Sequence, residues 1–144
     1  MLMLLPAALL VLLILGAVAV DAAVAFMGQR EAAALAASAA GDGIVAAADA
    51  DAFYTGDGTL ALDPERLQAA AEAVVSDTES SALEVTGVAA TCDDAEGLEV
   101  TVRVDGVVEV VFSPAVGDLD QWEVTAASTM TADGVAAFTG VCGA

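Results

Sequence analysis

The sequence predicts an α+β fold: a long N-terminal helix that begins as a membrane span, a second amphipathic helix, and an antiparallel sheet of about four strands. Three observations predict it. The first 20 of 144 residues carry no charged side chain, although the chain holds 22 acids against three positive charges and has a net charge of −19. Residues 67–75 then repeat apolar side chains at helical spacing. Beyond residue 83, apolar and polar side chains alternate with the period of two that marks half-buried strands.

The first element follows from charge. Twenty apolar residues at a helical rise cover about 30 Å, the thickness of a bilayer's hydrocarbon core. Pro6 stands near the helix start, where a missing N–H costs little, and Gly16 lies inside the span, as glycine commonly does in membrane helices. The apolar run continues past Asp21 to Phe26 and Met27, so the span is assigned to residues 1–27, with Gln29, Arg30 and Glu31 at the water interface. Asp21, at the boundary, is expected to snorkel outward or to meet a positive group such as Arg30 of a neighbouring copy. A cleaved signal sequence is the competing reading, since Ala17-Val18-Ala19 and Ala23-Val24-Ala25 resemble small-residue cleavage sites. The apolar stretch is longer than a usual signal core, and no basic residue precedes it, which favours an anchor.

Residues 28–52 follow as an alanine-rich helical stalk, alanine being the strongest helix former. Its small side chains suit close packing, either on a neighbouring helix or on its own domain. Gly41-Asp42-Gly43 is expected to break this helix, with Ile44 to Ala52 forming a further short piece. An acidic α+β domain then occupies residues 53–144. Phe53-Tyr54 reads as an aromatic anchor before a Thr55-Gly56-Asp57-Gly58 turn. Asp63-Pro64-Glu65 starts the second helix: Asp caps, Pro takes the first helical position, and Glu suits the dipole. Leu67, Ala70, Ala71, Val74 and Val75 form its covered face, and it ends near Asp77.

The strands come next. Leu83 to Ala90 is rich in strand formers, and Leu98, Val100 and Val102 alternate with Glu99, Thr101 and Arg103. Asp105-Gly106 reads as a hairpin signal, with Val107 to Phe112 as the returning strand. A three-residue loop of Val104, Asp105 and left-handed Gly106 is the register preferred, because it places Leu98, Val100, Val102, Val108, Val110 and Phe112 on one face and Arg103 and Glu109 on the other. Trp122 to Thr131 supplies the last strand.

Two cysteines, Cys92 and Cys142, lie in the acidic domain at a spacing useless for a metal ligand pair, which suits one disulfide in an oxidising compartment; two buried thiols are the alternative. The disulfide predicts an extracytoplasmic domain. Arg30, as the only basic residue near the span, would by itself favour the opposite orientation.

Composition excludes more than it supports. Without histidine there is no Ser-His-Asp or Cys-His centre. Three positive charges cannot track a phosphate backbone, so nucleic-acid binding is not expected. No Gly-rich phosphate loop occurs, and a carboxylate pair for glycoside hydrolysis would lack the aromatics of a sugar cleft. The chain is therefore expected not to be an enzyme and to need no cofactor. Calcium is the ligand to weigh: Asp49, Asp51 and Asp57 flank one turn and Asp93, Asp94 and Glu96 crowd another, but neither fits the twelve-residue calcium loop. These acids are expected to be solvated turn residues.

Leu5-Pro6, an apolar span containing Gly16, Val20-Asp21, Arg30 and the alanines of 32–40 occur in an order that resembles the N-terminal segment of TadE/TadG-like proteins of tight-adherence pilus systems. The stretch FYTGDGTLALDPERLQAAA is similar to actinobacterial members of that group. The resemblance covers about 40 residues firmly and about 70 loosely. It implies a minor pseudopilin-like component, held in the membrane by one helix and assembling through that helix with other pilus subunits. The basic leader ending in glycine and the early glutamate of type IV-like prepilins do not occur in this sequence, which sets prepilin cleavage apart from the expectation. An envelope binding module, secreted or anchored and with calcium as its ligand, is the alternative.

Overall fold

A computed structural model of the chain describes residues 4–48, 60–78, 80, 82–93, 98–112, 121–131 and 140–142. Helix α1 spans Leu4–Ala47, strand β1 Leu60–Leu62, helix α2 Pro64–Asp77, β2 Glu84–Asp93, β3 Glu99–Glu109, β4 Gln121–Thr131 and β5 Gly140–Cys142. The expected α+β architecture is present. β2, β3 and β4 form an antiparallel sheet with β3 in the centre, and β1 pairs with β5 in parallel. Both helices lie on one face of the larger sheet: α1 packs on β3, β4 and α2, and α2 also covers β2.

α2 forms as its sequence dictates. The Asp63 carboxylate accepts the backbone N–H groups of Glu65 at 2.9 Å and Arg66 at 3.3 Å, satisfying two donors that the first turn leaves unpaired. Leu67, Ala71 and Val75 are buried, one side chain per turn. Gln68, beside them, joins the helix to the sheet: its amide nitrogen donates to the Val88 carbonyl at 3.0 Å and its oxygen accepts from the Ala90 N–H at 2.7 Å. One side chain thereby completes two backbone groups on an edge strand.

Two expectations are corrected. The Gly41-Asp42-Gly43 break does not occur; α1 continues to Ala47. Gly43 is buried where α2 crosses, and a Cβ there would lie 2.8 Å from Leu67 Cδ1. Its missing side chain serves close helix approach, at the cost of about 1 kcal/mol of helix propensity. Residues 49–59, which include the rest of the expected short helix and the Phe53–Gly58 turn, lie outside the described residues.

The Asp105-Gly106 hairpin does not occur either. β3 runs unbroken through it, and the two strands expected on either side are one, giving three strands in the main sheet where about four were expected. Gly106 pairs with Val85 and Val124 inside the sheet, and a Cβ there would meet Leu83 Cδ1 at 2.7 Å and the Glu84 carbonyl at 2.8 Å. The glycine admits a close neighbour within a strand and does not turn the chain. The face assignment survives this correction, since an unbroken strand keeps the same parity. Leu98, Val100, Val102, Val108 and Val110 are buried, while Arg103 and Glu109 are exposed; Phe112, expected on the buried face, lies beyond the end of β3 and is 43% exposed.

The core sits between this valine face and the small-residue face of α1. Ala32, Leu35, Ala36, Ala39, Ala40 and Ala47 are buried at intervals that follow the helical repeat. The alanine-rich segment thus docks on its own domain. Alanine contributes little burial by itself, but it lets α1 come close enough for Val100, Val102, Val104 and Val108 to be fully enclosed, each burial being worth about 1.5–3 kcal/mol. A disulfide joins Cys92 at the end of β2 to Cys142 of β5, as the spacing suggested.

Candidate functional site

The distinctive feature of the molecule is the junction where α1 leaves the domain. From Leu5 to Val20 the helix is exposed throughout except at half-buried Ala17; Leu13 is 70% exposed and Leu12 66%. At Asp21 the environment changes within one residue. Asp21 is only 7% exposed, the one buried charged side chain among the described residues. Its Oδ1 accepts the backbone N–H groups of Val111 and Phe112, each at 3.0 Å.

This geometry corrects the expectation that Asp21 snorkels outward, since its carboxylate is buried against the sheet domain. The end of β3 supplies two donors that would be left unpaired where the strand leaves the ladder. Those donors stabilise a carboxylate that would otherwise be costly to bury. Arg30, nine residues on, is about 180° round the helix and exposed, so it faces away from Asp21. Seven residues beyond Asp21, Gly28 is buried directly against the Val108 side chain, and a Cβ at that position would overlap Val108 Cγ2. Asp21 and Gly28 therefore fix the height and the closeness of α1 on the sheet.

Around the junction lies a rim of exposed apolar side chains: Phe26 at 66%, Val111 at 62%, Trp122 at 57% and Phe112 at 43%. Trp122 opens β4 opposite Val108 and borders a groove shared with Val18, Asp21, Ala22, Ala25 and Phe26. These rim residues were not singled out from the sequence as a site. A signal was present just past β3, where Val110, Val111 and Phe112 are apolar in succession and end the alternation.

The remaining sequence candidates are dispersed. Pro6 is exposed in the first turns of α1, and Gly16 has no other atoms within 4 Å of a built Cβ. Of the acids weighed for calcium, Asp49, Asp51, Asp57, Asp94 and Glu96 lie outside the described residues, and Asp93 is exposed at the end of β2. Among the described residues no group of three potential ligands converges. On the outer sheet face, Arg103 bonds both Asp105 oxygens at 3.0 and 3.1 Å, and Thr125 donates to Asp105 at 2.6 Å. The Arg103 hydrogen bond, helped by Thr125, holds the Asp105 carboxyl below its ordinary value, and Asp105 in turn raises Arg103. This is an exposed ion pair between neighbours on one side of β3, braced from β4 by Thr125.

No protein-family model, no curated protein and no solved structure matches this chain. α1 is, by length and composition, a helix able to cross a membrane, and its most apolar stretch is almost wholly unburied within the molecule.

Proposed function

We infer that the chain is a non-catalytic, membrane-anchored envelope protein. In this reading the N-terminal part of α1 crosses the bilayer, the acidic α+β domain stands on the extracytoplasmic side, and the exposed helix assembles with other subunits of a tight-adherence-type pilus or related secretion apparatus. One observation carries it. A helical segment made mostly of leucine, valine and alanine, about 24 Å long from Leu5 to Val20, is continuous with a folded domain yet is almost wholly unburied within the molecule. Such a surface in water far exceeds the apolar patches that soluble monomers expose. Lipid or neighbouring helices are its natural environment, and the uncharged helix can pack where the acidic domains repel one another.

The secreted reading, with the apolar stretch removed, draws on the small-residue sites at residues 17–19 and 23–25. Cleavage after Ala25 would delete Asp21 and with it the clasp on Val111 and Phe112. That argues against the second site, whereas cleavage after Ala19 would leave the clasp in place. The test is expression of the full chain, followed by alkaline extraction of membranes and cross-linking of a Gly16→Cys variant. Retention in the membrane with cross-linked neighbours is expected. Recovery of a soluble protein beginning after Ala19 or Ala25 would remove the anchor. Labelling Cys92 and Cys142 with an impermeant thiol reagent, after reduction in intact cells, reads the side of the membrane. Calcium uptake in equilibrium dialysis would favour the binding-module alternative.

A further inference from the structure

The rim around the α1 junction has a position as well as a composition. Asp21 is the residue at which the uncharged helix ends, and it is hydrogen-bonded to the backbone of Val111 and Phe112. The end of β3 is therefore held level with the end of the apolar segment. Trp122 borders the same groove as Val18, one turn closer to the N-terminus, and as Phe26, just over one turn beyond Asp21. Two aromatic side chains of the sheet domain and one of the helix thus surround the point where lipid contact would stop.

Resting on the membrane-anchored reading, we propose that Val111, Phe112, Trp122 and Phe26 form a seat by which the domain itself enters the headgroup boundary of the bilayer. Trp122, an apolar ring with one polar N–H, favours that depth, and Phe26, Val111 and Phe112 add apolar surface beside it. The Asp21 carboxylate, which would otherwise have to reach for water, has its partners supplied by β3, so the seat carries no unsatisfied charge towards the lipid. Glu109 and Glu123 are exposed beside the rim, so apolar contact and not attraction to anionic headgroups holds the seat, and neutral phospholipid is the occupant. The domain would then stand at a fixed height and tilt on the membrane, with its polar sheet face carried outward.

The chain has a single tryptophan, so its fluorescence reports on the seat alone. The full chain is reconstituted into phosphatidylcholine vesicles and checked by flotation. Lipids brominated near the headgroup end of the acyl chain are expected to quench Trp122 by roughly half, at a depth where interfacial residues insert. Lipids brominated near the methyl end should quench it much less, and aqueous iodide should be largely excluded. Replacing two of the four rim residues (Val111→Ser with Phe112→Ser) leaves the backbone donors to Asp21 in place and should restore iodide access. Protein that floats with the vesicles but shows iodide-accessible, bromine-insensitive tryptophan would overturn the seat while leaving the anchor intact. Failure to float would overturn the anchor instead. Shielding that disappears as the protein is diluted in lipid would assign the rim to a second copy and would also overturn the lipid seat.

Discussion

At the scale of single residues, the Asp21 carboxylate and the missing side chain of Gly28 decide how the helix meets the sheet. Replacing Asp21 with alanine leaves the Val111 and Phe112 N–H groups without their acceptor, at a cost of about 1–3 kcal/mol. Asp21→Asn keeps one oxygen and should lose less; denaturant midpoints of the two variants in detergent would rank them. Gly28→Ala should destabilise the domain by about 1–3 kcal/mol, because the new methyl collides with Val108. Gly16→Ala, where a Cβ meets nothing, should be neutral or slightly stabilising in the same assay, since alanine is the better helix former. At Asp105 the folded carboxyl titrates below its unfolded value because Arg103 and Thr125 bond the charged form. Its contribution is therefore fully present above about pH 4, the ordinary aspartate value, and is lost as pH falls through the lower folded value. The stability difference between wild type and Asp105→Asn should shrink in that acid window, as thermal unfolding from pH 5 to pH 2 would show.

At the scale of elements, the sheet's free edges matter. Gln68 reaches from α2 to the outer edge of β2 and satisfies one donor and one acceptor there. Gln68→Leu should leave both groups to water and cost about 1–2 kcal/mol. Faster amide exchange at Ala90, with little change in β3, would check it. The two helices differ in how much of their behaviour is legible locally. α2 begins and ends where its capping residues place it, because each signal acts within one turn. α1 overrides its own breakers, because Gly43 is held by Leu67 across the interface, a contact with no local signature. The same holds for β3, where glycine after aspartate has the appearance of a turn until Leu83 and the Glu84 carbonyl are seen to occupy the space.

At the scale of the whole molecule, the Cys92–Cys142 link spans 50 residues and fastens β5, and through it β1, to the end of β2. Replacing both cysteines with serine should cost about 4 kcal/mol in the chain-entropy view. The loss should concentrate in the β1–β5 pair, and hydrogen exchange at Leu62 and Val141 would report it. Twenty-two acids against three arginines also set how copies meet: domain faces repel over about a Debye length, while the uncharged helix and the rim do not.

Legible along the chain were the charge-free helix, the capped second helix, the inward parity of the strands as far as Val110, and two cysteines suited to one disulfide. Each of these depends on spacing along the chain or on the chemistry of one residue type. Only the tertiary structure decided that two glycine signals mark close approach, that the alanine stalk is a core helix, and that Asp21 belongs to β3. Those outcomes turn on which distant backbone comes within hydrogen-bonding or van der Waals distance, and residues 90 positions apart leave no periodic trace of such a meeting.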